Sequence, residues 1–304
     1  MSYEKILEEL VKTDDRFLVM TAENRASIRN LTSKIEGKFF DVGISEMSLV
    51  GISAGLAIRG RIPIVHALAK FLTGRAYEFI CTDVAYPKLP IKLIGSFAGL
   101  LSTANGPTHQ AIDDIGLMTN LPNMNVFCPA DIEDMLICLP QILKSDEPFY
   151  IRYNDQPSHI IHNRNYKIGE SELISDGINI TILVHGILLK QAIEVKNKLN
   201  ESGLSVRIIN LRTIKPLDEQ FIHESANKTQ ITVTMEDHWT SSGLYSIISQ
   251  LYNKFRINKT IIPIGFQSKW FKPAEKVEDI INYEGFNSHS IVNKILSTLK
   301  NENK

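Results

Sequence analysis

The sequence predicts an α/β protein of two domains, each a mostly parallel sheet flanked by helices. Three observations predict it. Apolar runs of strand length alternate with helical periods of ten or more residues, the pattern of βαβ units. That alternation stops in a polar stretch at residues 154–175 and then restarts. The length, 304 residues, suits two domains at about 150 residues each. The domains are expected at residues 1–165 and 166–304.

Each element follows from its local pattern. Residues 3–12 put Ile6, Leu7, Leu10 and Val11 on one helical face. Residues 16–21 (RFLVMT) and 38–42 (KFFDV) are strand-length apolar runs, and residues 47–58 read as a helix closed by Gly60. Strands at 62–68, 91–95, 125–128 and 149–152 then alternate with helices at 72–84, 110–119 and 132–143. The stretch 154–175, with scattered histidines, Asn163, Asn165 and Gly169, reads as a linker. Beyond it, strands at 178–184, 205–211, 231–235 and 260–264 alternate with helices at 188–202, 218–228 and 243–255. Helices at 274–281 and 288–300 close the chain.

Composition narrows the function classes. Hydrophobic residues make up 43% and charged residues 22%, a balance that supports a full core and argues against a disordered chain. Lys plus Arg total 33 against 34 for Asp plus Glu, a net charge of −1. This gives no global footprint for nucleic acid. The longest apolar runs, such as residues 178–184, fall far short of the ~20 residues that span a bilayer, so no membrane partner is expected. Glu4, Glu8 and Glu9 are wrong for a cleaved signal peptide. Cys81, Cys128 and Cys138 form no CxxC pair. The expectation is a reduced, cytoplasmic protein without a structural zinc site and with no metal ligands of its own.

In open parallel sheets the chemistry lies past the carboxyl ends of the strands. After the second strand comes Asp41-Val-Gly-Ile-Ser-Glu46. Glu46 reads either as a carboxylate favoured by a helix N-terminus or as a partly buried acid whose proton is used. After the fourth strand comes Asn105-Gly-Pro-Thr-His-Gln110, which presents His109 on a Gly-Pro turn. That histidine is either structural or functional. Gly51 and Gly55 suit close packing, and no GxGxxG or P-loop follows any strand. The run Glu236-Asp237-His238-Trp239 suits a hydrogen-bonded loop or subunit contact better than a metal cluster, because adjacent residues seldom converge on one ion.

Taken together, Asp41–Glu46, Ala54-Gly-Leu-Ala57, Gly60-Arg-Ile-Pro63, Phe71, Arg75-Ala76, Gly106–Gln110, Leu121-Pro-Asn-Met124 and Pro129-Ala-Asp131 resemble, in this order, the transketolase-like thiamine diphosphate enzymes. Leu211–Asp218 and Glu236–His238 ahead of Gly243 extend the resemblance into the second domain. The chain looks like the C-terminal half of transketolase and of deoxyxylulose phosphate synthase: a pyrimidine-binding domain followed by the transketolase C-terminal domain. The Gly-Asp-Gly…Asn motif of the N-terminal half does not occur in it. The resemblance therefore implies the C-terminal subunit of a split transketolase. The rivals are a 2-oxo acid dehydrogenase beta subunit, a decarboxylating synthase similar to deoxyxylulose phosphate synthase, and a noncatalytic assembly subunit.

The resemblance also implies roles. Glu46 matches the glutamate that hydrogen-bonds N1′ of the cofactor aminopyrimidine. Ile44, Leu68 and Phe71 fall among the cofactor contacts, although Leu68 and Gly74 stand where the family has aromatics, which weakens the expected stacking. His109 matches a catalytic histidine that binds the donor sugar, and Arg152 an arginine that binds the substrate phosphate. Asn105 replaces the aspartate that contacts a donor hydroxyl, keeping reach and losing charge. The implied cofactors are thiamine diphosphate and Mg²⁺, with the Mg²⁺ ligands on an N-terminal partner subunit. The implied assembly is a heterotetramer containing a homodimer of this chain, acting on sugars or sugar phosphates.

Overall fold

The computed structural model describes residues 2–302. The chain opens with α1 (Tyr3–Thr13), capped by the Ser2 hydroxyl on the Lys5 amide. Strands β1 (Phe17–Thr21), β2 (Phe39–Asp41), β3 (Ile62–Leu68), β4 (Lys92–Ser96), β5 (Asn125–Phe127) and β6 (Phe149–Arg152) follow. Between them lie α2 (Glu46–Ile58), α3 (Ala69–Arg75), α4 (Tyr77–Phe79), α5 (Asp114–Thr119) and α6 (Ile132–Lys144). The second half holds β7 (Glu172–Ser175), β8 (Ile180–Val184), α7 (Leu189–Glu201), β9 (Val206–Asn210), β10 (Thr213–Lys215) and α8 (Glu219–Lys228). It ends with β11 (Ile231–Trp239), α9 (Leu244–Phe255), β12 (Ile261–Phe266), α10 (Val277–Tyr283) and α11 (Ser288–Glu302).

Two sheets form. The first has the order β10-β5-β6-β4-β3-β1-β2 and the second β12-β11-β8-β9-β7. Pairs are parallel except at two edges, where β10 meets β5 and β7 meets β9 antiparallel. The expected architecture of mostly parallel sheets flanked by helices therefore holds. Residue alternation along β1 explains how both faces of the first sheet are covered. Phe17 and Val19 pack with α1 and α6, while Leu18 and Met20 pack with α2, α3 and α5.

Four local readings needed correction. The stretch read as a linker contains β7. Strand β10 comes from the second half of the chain yet extends the first sheet, with the Cys128 amide also donating to the Arg212 carbonyl at 2.8 Å. The helix expected at 72–84 divides into α3, α4 and a π-helical turn over Ile80–Ala85. The helix expected from residue 110 begins only at Asp114, because Gln110 is drawn aside to the Phe271 carbonyl at 2.8 Å.

The halves share their core. Leu183, Ile209, Leu211 and Ile248 of the second half lie in one apolar cluster with Leu93, Met118 and Val126 of the first. Leu100, Ile112 and Ala130 in turn join the cluster around α7 and α11. No helix among the described residues is long and apolar enough to cross a membrane.

Candidate active site

The turn from β2 into α2 is built by Asp41. Its Oδ1 accepts the Glu23 and Gly43 amides at 3.1 and 3.0 Å, and Oδ2 accepts the Arg25 Nε at 2.7 Å. Gly43 stands at φ +75°, a left-handed conformation that a side chain would strain. The turn delivers Glu46 to the first position of α2, where it is 4% exposed. Burial at a helix N-terminus is where a carboxylate gains from the macrodipole.

From Glu46 a line of contacts runs across the site. Its Oε2 lies 3.4 Å from Arg75 NH1. The Arg75 guanidinium sits over the Phe71 ring, 3.7 Å from its centroid. The spacing from Phe71 to Arg75 is one helical turn of α3, so both face the same way. The Phe71 ring meets His109 edge to face at 4.9 Å, and His109 Nδ1 hydrogen-bonds the Thr108 hydroxyl at 2.8 Å.

His109 also lines a cleft of about 200 Å³ together with Leu68, Ser96, Phe97 and Asn105. The structure thus brings Leu68, Asn105 and His109 to one cleft and joins Glu46 to it through Arg75 and Phe71. Ile44 stands 75% exposed on the turn before Glu46, apart from the cleft lining.

Arg152 is elsewhere, and the role drawn from the resemblance does not fit its geometry. It is buried, with Nε and NH2 on Asp114 at 2.8 and 2.6 Å and NH1 on Asp237 at 2.5 Å. Burial opposes its charge, but Asp114 and Asp237 outweigh that and hold its pKa well above the ordinary value. A guanidinium with both edges on buried carboxylates has no edge left for a phosphate.

The Glu236–His238 run is also structural, although it is strand and not loop. Glu236 accepts the Leu244 and Tyr245 amides at 2.6 and 2.9 Å, closing the N-terminus of α9. Burial pushes its pKa up to about 8 despite those donors. His238 Nε2 lies 3.3 Å from the Gly116 amide across the domain boundary.

Sequence reasoning missed Arg75 as a partner of Glu46, though its i+4 position from Phe71 was visible. It also missed His162. His162 is buried in the former linker, with Nε2 on Asp131 at 2.8 Å and Nδ1 on Glu172 at 2.7 Å. With Asp134, His162 and Glu172 have the spacing of a metal site. Arg212 occupies that cluster instead, at 2.6 Å from Asp134 and 3.0 Å from Glu172. It is an ionic joint between the halves.

Around Glu46 and the cleft, the donor set suits an aromatic heterocycle with a basic ring nitrogen: a buried carboxylate, the Phe71 ring and apolar Leu68.

Comparison with known proteins identifies both domains. Residues 1–158 match the family described as transketolase, pyrimidine binding domain, and residues 169–291 match transketolase, C-terminal domain. The chain is 33% identical over 253 residues to the 6-deoxy-6-sulfo-D-fructose transketolase subunit SqwH of Clostridium sp. (strain MSTE9), covering 82% of this chain and 79% of that protein. It is 30% identical to a putative transketolase C-terminal section of Methanocaldococcus jannaschii, covering 99% of this chain and 96% of that one. The 1-deoxy-D-xylulose-5-phosphate synthase of Dictyoglomus thermophilum is 33% identical over 97% of this chain, which spans 48% of that enzyme. Among solved structures, a split gene transketolase described as an inactive beta4 tetramer superposes with a TM-score of 0.87 at 28% identity, covering 98% of this chain and 97% of that one. With both domains matched in order and near-complete coverage of split relatives, the chain belongs to the transketolase family, as a pyrimidine-binding domain followed by a transketolase C-terminal domain.

Proposed function

We propose that this chain is the pyrimidine-side subunit of a thiamine diphosphate-dependent ketol transferase. In this reading a second polypeptide, the N-terminal transketolase subunit, supplies the ligands for the diphosphate and Mg²⁺. The observation that carries the reading is the line Glu46–Arg75–Phe71–His109 ending in the cleft with Leu68 and Asn105. Thiamine diphosphate supplies an acidic thiazolium carbon and an electron sink. Glu46 shares a proton with N1′ of the aminopyrimidine, since a buried carboxyl group is suited to exchange a proton with a ring nitrogen. Phe71 offers a ring face to the pyrimidine. Asn105 and His109 hydrogen-bond hydroxyls of a sugar or sugar-phosphate donor, whose two-carbon unit passes to an aldose. The transketolase subunit from Clostridium makes a sulfonated ketose a reasonable donor to include. Ile44 on the turn before α2 and Met47, Ile52 and Ile58 along it are exposed apolar side chains, which suit a subunit contact between two copies within a heterotetramer.

The test is reconstitution. The pure chain with thiamine diphosphate and Mg²⁺ is expected to be inactive, and the N-terminal partner should restore transfer. Turnover by the pure chain sinks the two-chain site. The likeness to deoxyxylulose phosphate synthases favours one second reading, a decarboxylating synthase. Release of CO₂ from pyruvate by the reconstituted complex would select it.

A further inference from the structure

The loop from Ala98 to Ala111 carries Asn105 and His109, and its neck is closed by the Gly99 amide on the Ala111 carbonyl at 2.8 Å. Beyond the neck, three ties run to the second domain. The Leu100 amide donates to Asp237 Oδ2 at 3.1 Å, Gln110 Nε2 to the Phe271 carbonyl at 2.8 Å, and the Ala274 amide to the Thr103 carbonyl at 3.0 Å. Asp237 differs from the other two because its carboxylate has a second duty. Its Oδ1 takes Arg152 NH1 at 2.5 Å, and the other edge of Arg152 holds Asp114, the first residue of α5. Leu100, Asp237, Arg152 and Asp114 therefore link the two stems of the loop through one buried chain of charges. The approach is close enough to dictate the residue at position 99. A Cβ on Gly99 would stand 1.7 Å from Asp237 Oδ2, and Gly99 adopts φ +57°.

We propose that Asp237, on β11 of the second domain, is a positioning residue for the substrate loop. Through Leu100 and Arg152 it sets where Asn105 and His109 stand in the cleft. This rests on the reading of those two residues as donor-binding groups. A domain that contributes no side chain to the line from Glu46 to His109 thereby governs donor binding while leaving the Glu46 side alone.

Asp237→Asn separates the two duties. The amide has one acceptor oxygen, so it satisfies either Leu100 or Arg152 and not both. In the reconstituted complex, donor kcat/KM should fall by about 10–100-fold, the scale of a misplacement near 1 Å. The loss should appear mainly in the donor KM, with thiamine diphosphate affinity unchanged. In hydrogen exchange on the same complex, amides of residues 99–110 should exchange about tenfold faster or more, while β3 and the first turn of α2 keep their protection. Unchanged loop exchange, or cofactor affinity falling in step with donor binding, overturns the proposal. If Asp237→Asn does not fold, Gly99→Ala drives the loop and the Asp237 carboxylate apart, and the same two readouts decide. A wild-type complex that transfers no ketol unit defeats the proposed function, whereas the exchange measurement still decides whether Asp237 holds the loop.

Discussion

Glu46, just past β2 in the first domain, and Glu236, late in β11 of the second, are both buried carboxylates, each beside a helix N-terminus. Their partners differ. Glu236 accepts two backbone amides at 2.6 and 2.9 Å. Glu46 has one long contact, 3.4 Å, to an arginine whose side chain is half exposed. The same contrast separates the two arginines. Arg152 is clamped on both edges by buried carboxylates, whereas Arg75 is half exposed and lies over Phe71. A carboxylate that closes a helix end through two short backbone hydrogen bonds is a fastener, and one with its acceptor capacity largely unused can meet a ligand. Two parallel sheets of different strand order thus place similar residues near strand ends, and the number of partners already bound divides structural use from chemical use.

The contrast is broken most directly at Glu46. Glu46→Gln should leave folding intact and reduce turnover of the reconstituted complex by roughly 10²–10⁴-fold, the range of general acid–base catalysis. The amide is nearly isosteric and cannot donate an acidic proton to N1′. Steady-state rates alongside a thermal melt check this. Retention of most activity would return Glu46 to the role of a charge at a helix N-terminus.

His162 should behave in the opposite way, because it belongs to the saturated kind. Burial opposes its charge, but hydrogen bonds to Asp131 and Glu172 outweigh that and raise its pKa from 6.5 to about 10. A histidine with a raised folded pKa stabilises fully below its unfolded value and loses that contribution as pH rises through the folded one. Stability should therefore decline between about pH 6.5 and 10. His162→Gln should lose about 3–5 kcal/mol near neutral pH, the scale for breaking a buried pair, and should flatten that slope. Denaturant unfolding at several pH values gives both quantities. A slope that persists in the variant would assign it to other groups.

The chemical side of this contrast was more legible in the sequence than the structural side. Glu46 was visible because it follows β2 within a few residues on a Gly-containing turn, and His109 because it stands on the Gly106-Pro107 turn of the loop after β4. The two sheets were visible because parallel strands buried on both faces are continuous apolar runs. Strands β7 (ELIS) and β10 (TIK) begin and end on polar residues, so neither shows the apolar run that marks β5 and β6. The pairing of β10 with β5 joins segments about 85 residues apart, and local pattern does not encode that. Arg152 reads through the resemblance as a phosphate-binding arginine until Asp114 and Asp237 are seen to converge on it. His162 likewise looked like one of several scattered linker histidines.

Asn105 offers the finest division within the chemical side, since it is exposed at the cleft while Glu46 lies buried behind Arg75. Asn105→Asp should change donor selectivity more than cofactor affinity. An aspartate accepts from a donor hydroxyl and cannot donate, so a donor presenting an acceptor group at that place is disfavoured. One hydrogen bond to a charged group is worth about 1.5–3 kcal/mol, so the preference between two ketose phosphates epimeric at C3 or C4 should move by roughly ten- to a hundredfold. The measurement is kcat/KM for both epimers in wild type and variant, with thiamine diphosphate affinity measured alongside. A changed ratio at constant cofactor affinity places the two functions at opposite ends of the line from Glu46 to His109. An unchanged ratio with weakened cofactor binding would move Asn105 to the Glu46 end and remove the donor side from this loop.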